Sequence, residues 1–170
     1  EGNFAIGLIA SKLSLEGPIV KDKTSFIFSA RRTYIDVLAQ PFILALNTSE
    51  GEKVKAGAYF HDLNLKVNHI FSDRSRLFFS AYHGKDKGYM GSKTTYKYEF
   101  EGEKVNEEEE NNMELSWGNT IASLLWNYLV GKKLFSNTTI TYSNYNFGFG
   151  IEAEINDLIN KSRDYNFYKY

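Results

Sequence analysis

The chain of 170 residues has no cysteine, which excludes disulfides and thiolate-ligated metal sites. It has only two prolines, so long extended or helical segments can run without interruption. No apolar run approaches about 18 residues, which excludes a transmembrane helix but not a membrane, because barrel strands alternate and escape hydropathy averages. An excess of positive charge is also lacking: 20 Lys and Arg face 21 Asp and Glu, for a net charge of -1. Nothing here provides the basic surface that a nucleic acid requires. There is no Ser/His/Asp arrangement, no Gly-rich phosphate loop and no metal-ligand spacing, and Gly148-Phe149-Gly150 alone is no nucleotide signature. The chain is therefore not read as an enzyme, and no cofactor or metal is expected. It begins at Glu1 with neither Met nor a signal peptide and is read as a piece of a longer product.

Aromatic residues, by contrast, are plentiful: 16% of the chain, with 12 Tyr and 13 Phe. They occur in alternating rows, most clearly from Tyr59 to Gly84. Tyr59, His61, Leu63, Leu65, Val67, His69 and Phe71 share one parity; Phe60, Asp62, Asn64, Lys66 and Asn68 share the other. After the polar knot Ser72–Ser75, Leu77, Phe79 and Ala81 alternate with Phe78, Ser80 and Tyr82. A period of two predicts a long β-hairpin with one apolar and one polar face. Its first arm is longer than the usual globular strand of about five or six residues and reaches the length of about nine to eleven that a tilted membrane strand needs.

The same pattern predicts strands over Phe4–Glu16, Thr24–Arg32, Glu114–Tyr128 and Leu134–Phe147, with a seventh over Asp164–Tyr170. Turns are expected at Gly17-Pro18 with Lys21–Lys23, and at Gly131–Lys133. Long connections are expected after the second, fourth and sixth strands. The first holds a helical piece over Tyr34–Leu38, stopped by Pro41, and a polar tip from Asn47 to Lys55. The second spans Gly84–Met113, with a small hairpin around Tyr96–Glu103 and a solvated acidic run, Glu107–Glu110. In the third, Ile151, Ile155, Leu158 and Ile159 fall at helical spacing, which predicts a short helix over Gly150–Lys161. The fold class is thus all-β: an antiparallel up-and-down meander of about 6–8 long strands. Short turns at one end and long loops at the other make it a partial transmembrane β-barrel.

Keeping Leu63, Leu65 and Val67 on one face with Leu77, Phe79 and Ala81 requires paired positions with an even sum and an odd-length loop of three or five residues. Phe71 is then set opposite Leu77, and Asp62 opposite Asp86. The row Asp62, Asn64, Lys66, Asn68, Ser80, Tyr82 and Asp86 is expected to line a polar lumen and to meet ligand. Leu63, Leu65, Val67, Leu77, Phe79 and Ala81 are expected to face lipid. Facing carboxylates at Asp62 and Asp86 can bind a cation or share a proton, although a hydrated pair is favoured. His61, His69 and His83 lie on the apolar parity and are read as interface residues rather than metal ligands. The aromatic rows suit interfacial girdles, with Phe26, Phe71, Trp126 and Tyr128 near the short turns and Tyr59, Tyr142, Tyr145 and Phe147 near the long loops.

Four segments, EGPIVKDKTSFIFSARRTYID (Glu16–Asp36), FHDLNLKVNHIFSDRSRLFFSAYHGKD (Phe60–Asp86), WGNTIASLLWNYL (Trp117–Leu129) and KLFSNTTITYSNYNF (Lys133–Phe147), carry a family resemblance. In this order they resemble the barrel region of TonB-dependent outer-membrane receptors, most closely the Bacteroidetes subgroup with a carboxypeptidase-regulatory-like domain before the plug. Leu125 departs from the pattern, where a polar or basic residue would precede the Trp-Asn pair. The resemblance implies a barrel of about 22 strands in the outer membrane of a Gram-negative cell, importing a nutrient of the siderophore, vitamin, peptide or glycan class. The whole of 1–170 would be one segment of that barrel. The partners implied are outer-membrane lipid, the protein's own plug and TonB, both outside this segment, and a small ligand. Two unpaired edges and an apolar face lead us to expect self-association of the isolated segment. Two other readings stand beside it: a soluble β-sandwich or calycin-like ligand-binding module, in which Leu63, Leu65, Val67, Phe79 and Ile140 converge on a dry interior, and a self-contained eight-stranded membrane barrel.

Overall fold

The computed structural model describes residues 1–47, 51–100, 102–156 and 161–169, the last stretch as backbone only. Eight antiparallel strands follow one another in chain order within one sheet: β1 (Gly2–Ile6), β2 (Ala10–Val20), β3 (Thr24–Thr33), β4 (Glu52–Ser72), β5 (Ser75–Phe100), β6 (Glu103–Leu129), β7 (Phe135–Asn156) and β8 (Lys161–Lys169). Two short helices, α1 (Ile35–Leu38) and α2 (Gln40–Leu46), lie between β3 and β4. The fold is therefore the expected all-β up-and-down meander. Among the described residues no ladder joins β1 to β8, so the sheet stays open.

Several strand bounds differ from the sequence reading. Phe4–Glu16 divides into β1 and β2, because Gly7 turns the chain and its N–H donates to the Ala10 carbonyl at 2.8 Å. β2 runs through Gly17 and Pro18 to Val20, absorbing the proline at a register shift between Pro18 and Val20, as proline in a strand requires. The turn beyond it places Asp22 at φ 61°, a left-handed position that Asp tolerates. Pro41 does not stop a helix; it sits in the first turn of α2, where its missing N–H has no partner to lose. The polar tip expected from Asn47 to Lys55 is strand from Glu52 onward, where β4 begins; its residues 48–50 lie outside the described residues.

The largest difference concerns Gly84–Met113. This stretch is not a loop but the two outer arms of the β5–β6 hairpin, whose tip includes Gly102 at φ 84°. The turn expected near Glu101–Glu103 is there, yet it closes arms of 26 and 27 residues. Likewise β7 continues through Ile155, which excludes a helix from Gly150; Leu158 and Ile159 lie outside the described residues. A carboxylate-rich strand is stable here because neighbouring strands supply lysines, a context that local composition does not display.

The chain forms two compact units: Glu1–Thr33 with Phe60–Lys85 and Gly118–Asn146, and Tyr34–Tyr59 with Asp86–Trp117 and Phe147–Tyr170. The first holds the turns at 21–23, 73–74 and 130–134; the second holds both helices and the far end of the β5–β6 hairpin.

Within the first unit the register sorts the side chains by rung. Leu13–Ala30–Leu63, Leu15–Phe28–Leu65 and Gly17–Phe26–Val67 form apolar rungs across β2, β3 and β4. Lys12–Arg31–Asp62, Ser14–Ser29–Asn64 and Glu16–Ile27–Lys66 form the alternate rungs, polar except for Ile27, which is 47% exposed. The even-sum parity of the β4–β5 hairpin holds: Tyr82 reaches Asp62 on one face, and the His61 and His83 rings lie 5.6 Å apart on the other. The strand ends, Ser72 and Ser75, have an odd sum, so an even-sum register does not pair them, and the loop it closes has the odd length expected. Ser72 is drawn into the turn, its hydroxyl accepting the Arg74 N–H at 3.3 Å.

Among the described residues no second layer covers these rows. Ile43 is the only buried hydrophobic side chain among the described residues, whereas Leu63 is 40%, Phe79 36% and Ile140 69% exposed. The accessible surface is 12906 Å², against about 8,500 Å² for a compact chain of this mass. Among the described residues the dry interior that a β-sandwich demands is not formed.

Candidate functional site: a polar groove across β2, β3 and β4

Alternation delivers the polar side chains of three strands to one place. Lys12, Ser14, Ser29, Arg31, Asp62, Asn64 and Tyr82 line a cavity of about 400 Å³ in the first unit. Lys12, Arg31 and Asp62 are direct partners on adjacent strands, and Ser14, Ser29 and Asn64 form the next rung on that face.

The centre of the groove is fixed. Arg31 donates from Nε and Nη2 to the same Asp62 oxygen at 3.0 and 2.6 Å. Tyr82 donates its hydroxyl to the other oxygen at 2.9 Å. The Arg31 guanidinium also lies over the Phe60 ring, 5.0 Å from its centroid, a cation–π arrangement. Gly84 makes room for this: a Cβ there would strike the Tyr82 hydroxyl and stand 3.2 Å from Asp62 Oδ1.

Of the residues expected to line a lumen, Asp62, Asn64 and Tyr82 come together here. Lys66 and Asn68 continue the row along β4, opposite Ile27 and Ser25. Ser80 is half-buried in the first unit, and Asp86 belongs to the second. The facing-carboxylate expectation is replaced by an Arg-clamped Asp62, because β3 places Arg31 directly beside it. Lys12 and Arg31 were not singled out from sequence as site residues. Their signal was parity: alternation puts one of Arg31 and Arg32 on the polar face, and Lys12 alternates with Leu13.

The histidines are engaged elsewhere. His69 Nδ1 shares a 2.7 Å hydrogen bond with Thr24, and its ring meets Phe71 edge-on at 4.4 Å. His83 Nδ1 shares one with Thr120 at 2.9 Å. Among the described residues no group of three His, Cys, Asp or Glu is placed to hold a metal. Near the short turns, Trp126 donates its indole N–H to Ser75 at 2.9 Å and lies against Tyr128, the ring centroids 5.7 Å apart.

The second unit carries charge pairs where the sequence reading expected a solvated loop. Lys55–Glu110, Lys93–Glu108 and Lys87–Glu114 each close at 2.8 Å, and Tyr98 donates to Glu107 at 3.2 Å. The hydrogen bond from Lys55, then that from Asn112, holds the Glu110 carboxyl below its ordinary value. The hydrogen bond to Glu108 raises Lys93 above its ordinary value. A lowered carboxylate stabilises the fold above its unfolded value and loses that contribution as pH falls through its folded one; a raised lysine stabilises below its unfolded value and loses it as pH rises through its folded one. Amide protection at Glu108–Asn112, corrected for intrinsic exchange, is therefore expected to stay level between about pH 5 and pH 10. It is expected to drop below pH 4.5, the ordinary glutamate value. Protection unchanged at pH 2 would show that these pairs do not hold the hairpin arms.

Scans against protein-family models, curated proteins and solved structures found no match to this chain.

Proposed function

We propose that the chain is a membrane-spanning segment of the barrel of a TonB-dependent outer-membrane receptor, a transport structure that carries out no chemistry of its own. One observation carries this reading: an open sheet whose rungs across β2, β3 and β4 alternate between apolar and polar, Ile27 excepted, with Leu63, Phe79 and Ile140 left exposed among the described residues. The row of Leu63, Leu65, Val67, Leu77, Phe79 and Ala81 is suited to acyl chains. The row of Asp62, Asn64, Lys66, Asn68, Ser80 and Tyr82 is suited to a hydrated lumen. The chain supplies eight strands and, among the described residues, no β1–β8 ladder; on this reading further strands of the same protein would complete the wall. The charge-paired hairpin arms suit a water-exposed extension beyond the hydrocarbon, where lysine and glutamate cost little. Nutrient, plug and TonB remain the partners expected on this reading.

Trp126 tests it. The chain is refolded into vesicles with Trp117→Phe, leaving Trp126 as the sole indole. Lipids brominated on their acyl chains are expected to quench its emission strongly. Emission indifferent to the bromolipid would overturn the membrane reading. The receptor assignment has its own check in the native reading frame: a plug-coding stretch upstream with further strands downstream supports it, and a frame encoding only this segment contradicts it.

A further inference from the structure

We propose that the groove at Lys12, Ser14, Ser29, Arg31 and Asn64 binds a small hydroxylated organic anion, of the hydroxycarboxylate or sugar-acid class. This rests on the reading that the polar face is open to water, and it adds the ligand class that the reading leaves open.

The groove decides between ligand chemistries by what is already engaged. A divalent cation needs free carboxylate oxygens, but among the described residues Asp62 is the only acid lining the groove, and its oxygens accept from Arg31 and Tyr82. A neutral sugar offers no charge to Lys12 and Arg31, and the carboxylate it would use, Asp62, is already engaged by Arg31 and Tyr82. The groove retains positive charge and donors. Asp62 offsets one of the two cations, and Lys12 has no acidic partner among the described residues. Lys12 stands directly across from Arg31, whose Nη1 edge is not used on Asp62. A carboxylate between the two receives charge-assisted hydrogen bonds. The next rung presents two hydroxyls and an amide, Ser14, Ser29 and Asn64. Rungs of one face are about 7 Å apart, a span that an extended sugar acid covers from its carboxylate to its far hydroxyls. The clamp by Asp62 and Tyr82 holds Arg31 in place before the anion arrives, which lowers the ordering cost of binding.

The test uses the full chain refolded in detergent micelles, with gluconate as probe and sorbitol, its neutral polyol counterpart, as control. Gluconate is expected to cause saturable amide shifts at Ser14, Ser29 and Asn64 with a dissociation constant in the millimolar range. Sorbitol is expected to bind at least about tenfold more weakly, as is gluconate to Lys12→Met. Arg31→Lys, which keeps the charge but loses the planar fork, is expected to weaken gluconate severalfold. No saturable gluconate shift, equal affinity for sorbitol, or an unaltered affinity in Lys12→Met would each overturn the proposal. Trp126 quenching by bromolipid, measured in parallel on the Trp117→Phe chain in vesicles, separates the two claims. Quenching without gluconate binding removes the anion site alone; absent quenching removes the membrane reading.

Discussion

Replacing Leu65 with Arg is expected to destabilise the vesicle-inserted chain by about 2–4 kcal/mol, the cost that the proposed membrane-spanning role assigns to a cation on a lipid face near the bilayer midplane. Leu65 sits in the middle of an apolar rung, between Phe28 and the β5 arm, with Leu63 and Val67 on the rungs either side. The neighbouring substitution Asn64→Arg adds the same charge one residue away. It lies on the Ser14–Ser29–Asn64 rung and is expected to cost less than about 1 kcal/mol, since a hydrated wall keeps the guanidinium in water. Urea unfolding of the two variants in vesicles gives the comparison. The contrast between adjacent positions carries the weight: a general intolerance of arginine would penalise both. If Asn64→Arg proves as costly as Leu65→Arg, the two-faced account of β4 fails.

Thr33→Val is expected to cost about 1–3 kcal/mol although it removes no charge and little volume. Thr33 is 1% exposed, the most deeply buried side chain among the described residues. Its hydroxyl accepts the Phe60 N–H at 2.9 Å and donates to the Phe60 carbonyl at 3.4 Å. The last registered β3–β4 pair is Arg32–His61, so this side chain continues the ladder by one rung after the backbone pairing ends. Valine fits the space and leaves the Phe60 N–H without an acceptor, and a buried unsatisfied donor carries the full desolvation penalty. Thr33→Ser keeps the hydroxyl and loses one methyl, for about 0.8 kcal/mol. Equal stability of the valine and serine variants would show that the hydroxyl is not what closes this end of β3. Both measurements need the folded chain only, independent of any ligand.

The sheet order and the two faces were legible from residue parity alone. A side-chain period of two cannot be slipped by one residue without inverting every face, so Leu63, Leu65 and Val67 fixed the partners' parity as well as their own. The even-sum contacts Asp62–Tyr82 and His61–His83 followed from it. Strand length was not legible, because the cues for stopping a strand were local while the causes of its continuing are cross-strand. Glu107–Glu110 reads as a loop until Lys55 and Lys93 are placed beside it. Gly57 lies within β4, where Tyr89 covers it, a Cβ there falling 2.5 Å from the Tyr89 ring. An aromatic side chain laid over a strand glycine supplies the packing that the glycine lacks. The groove was legible in part for the same reason. Asp62, Asn64 and Tyr82 belong to one hairpin and share a parity, whereas Lys12 and Arg31 enter through pairings with β2 and β3 that no local pattern announces. The helical spacing after Gly150 misled because Ile151 and Ile155 also share a parity, and four residues apart suits either period.

The central claim is that β4 has a lipid face and a water face at alternate residues. It is tested most directly by single nitroxide labels placed at each position from 62 to 68 in the vesicle-reconstituted chain, with accessibility to oxygen and to a polar nickel chelate measured at each. Oxygen accessibility is expected to peak at Leu63, Leu65 and Val67, and chelate accessibility at Asp62, Asn64, Lys66 and Asn68, in strict alternation. Two profiles that rise and fall together, or oxygen exclusion at the three apolar positions, would contradict it.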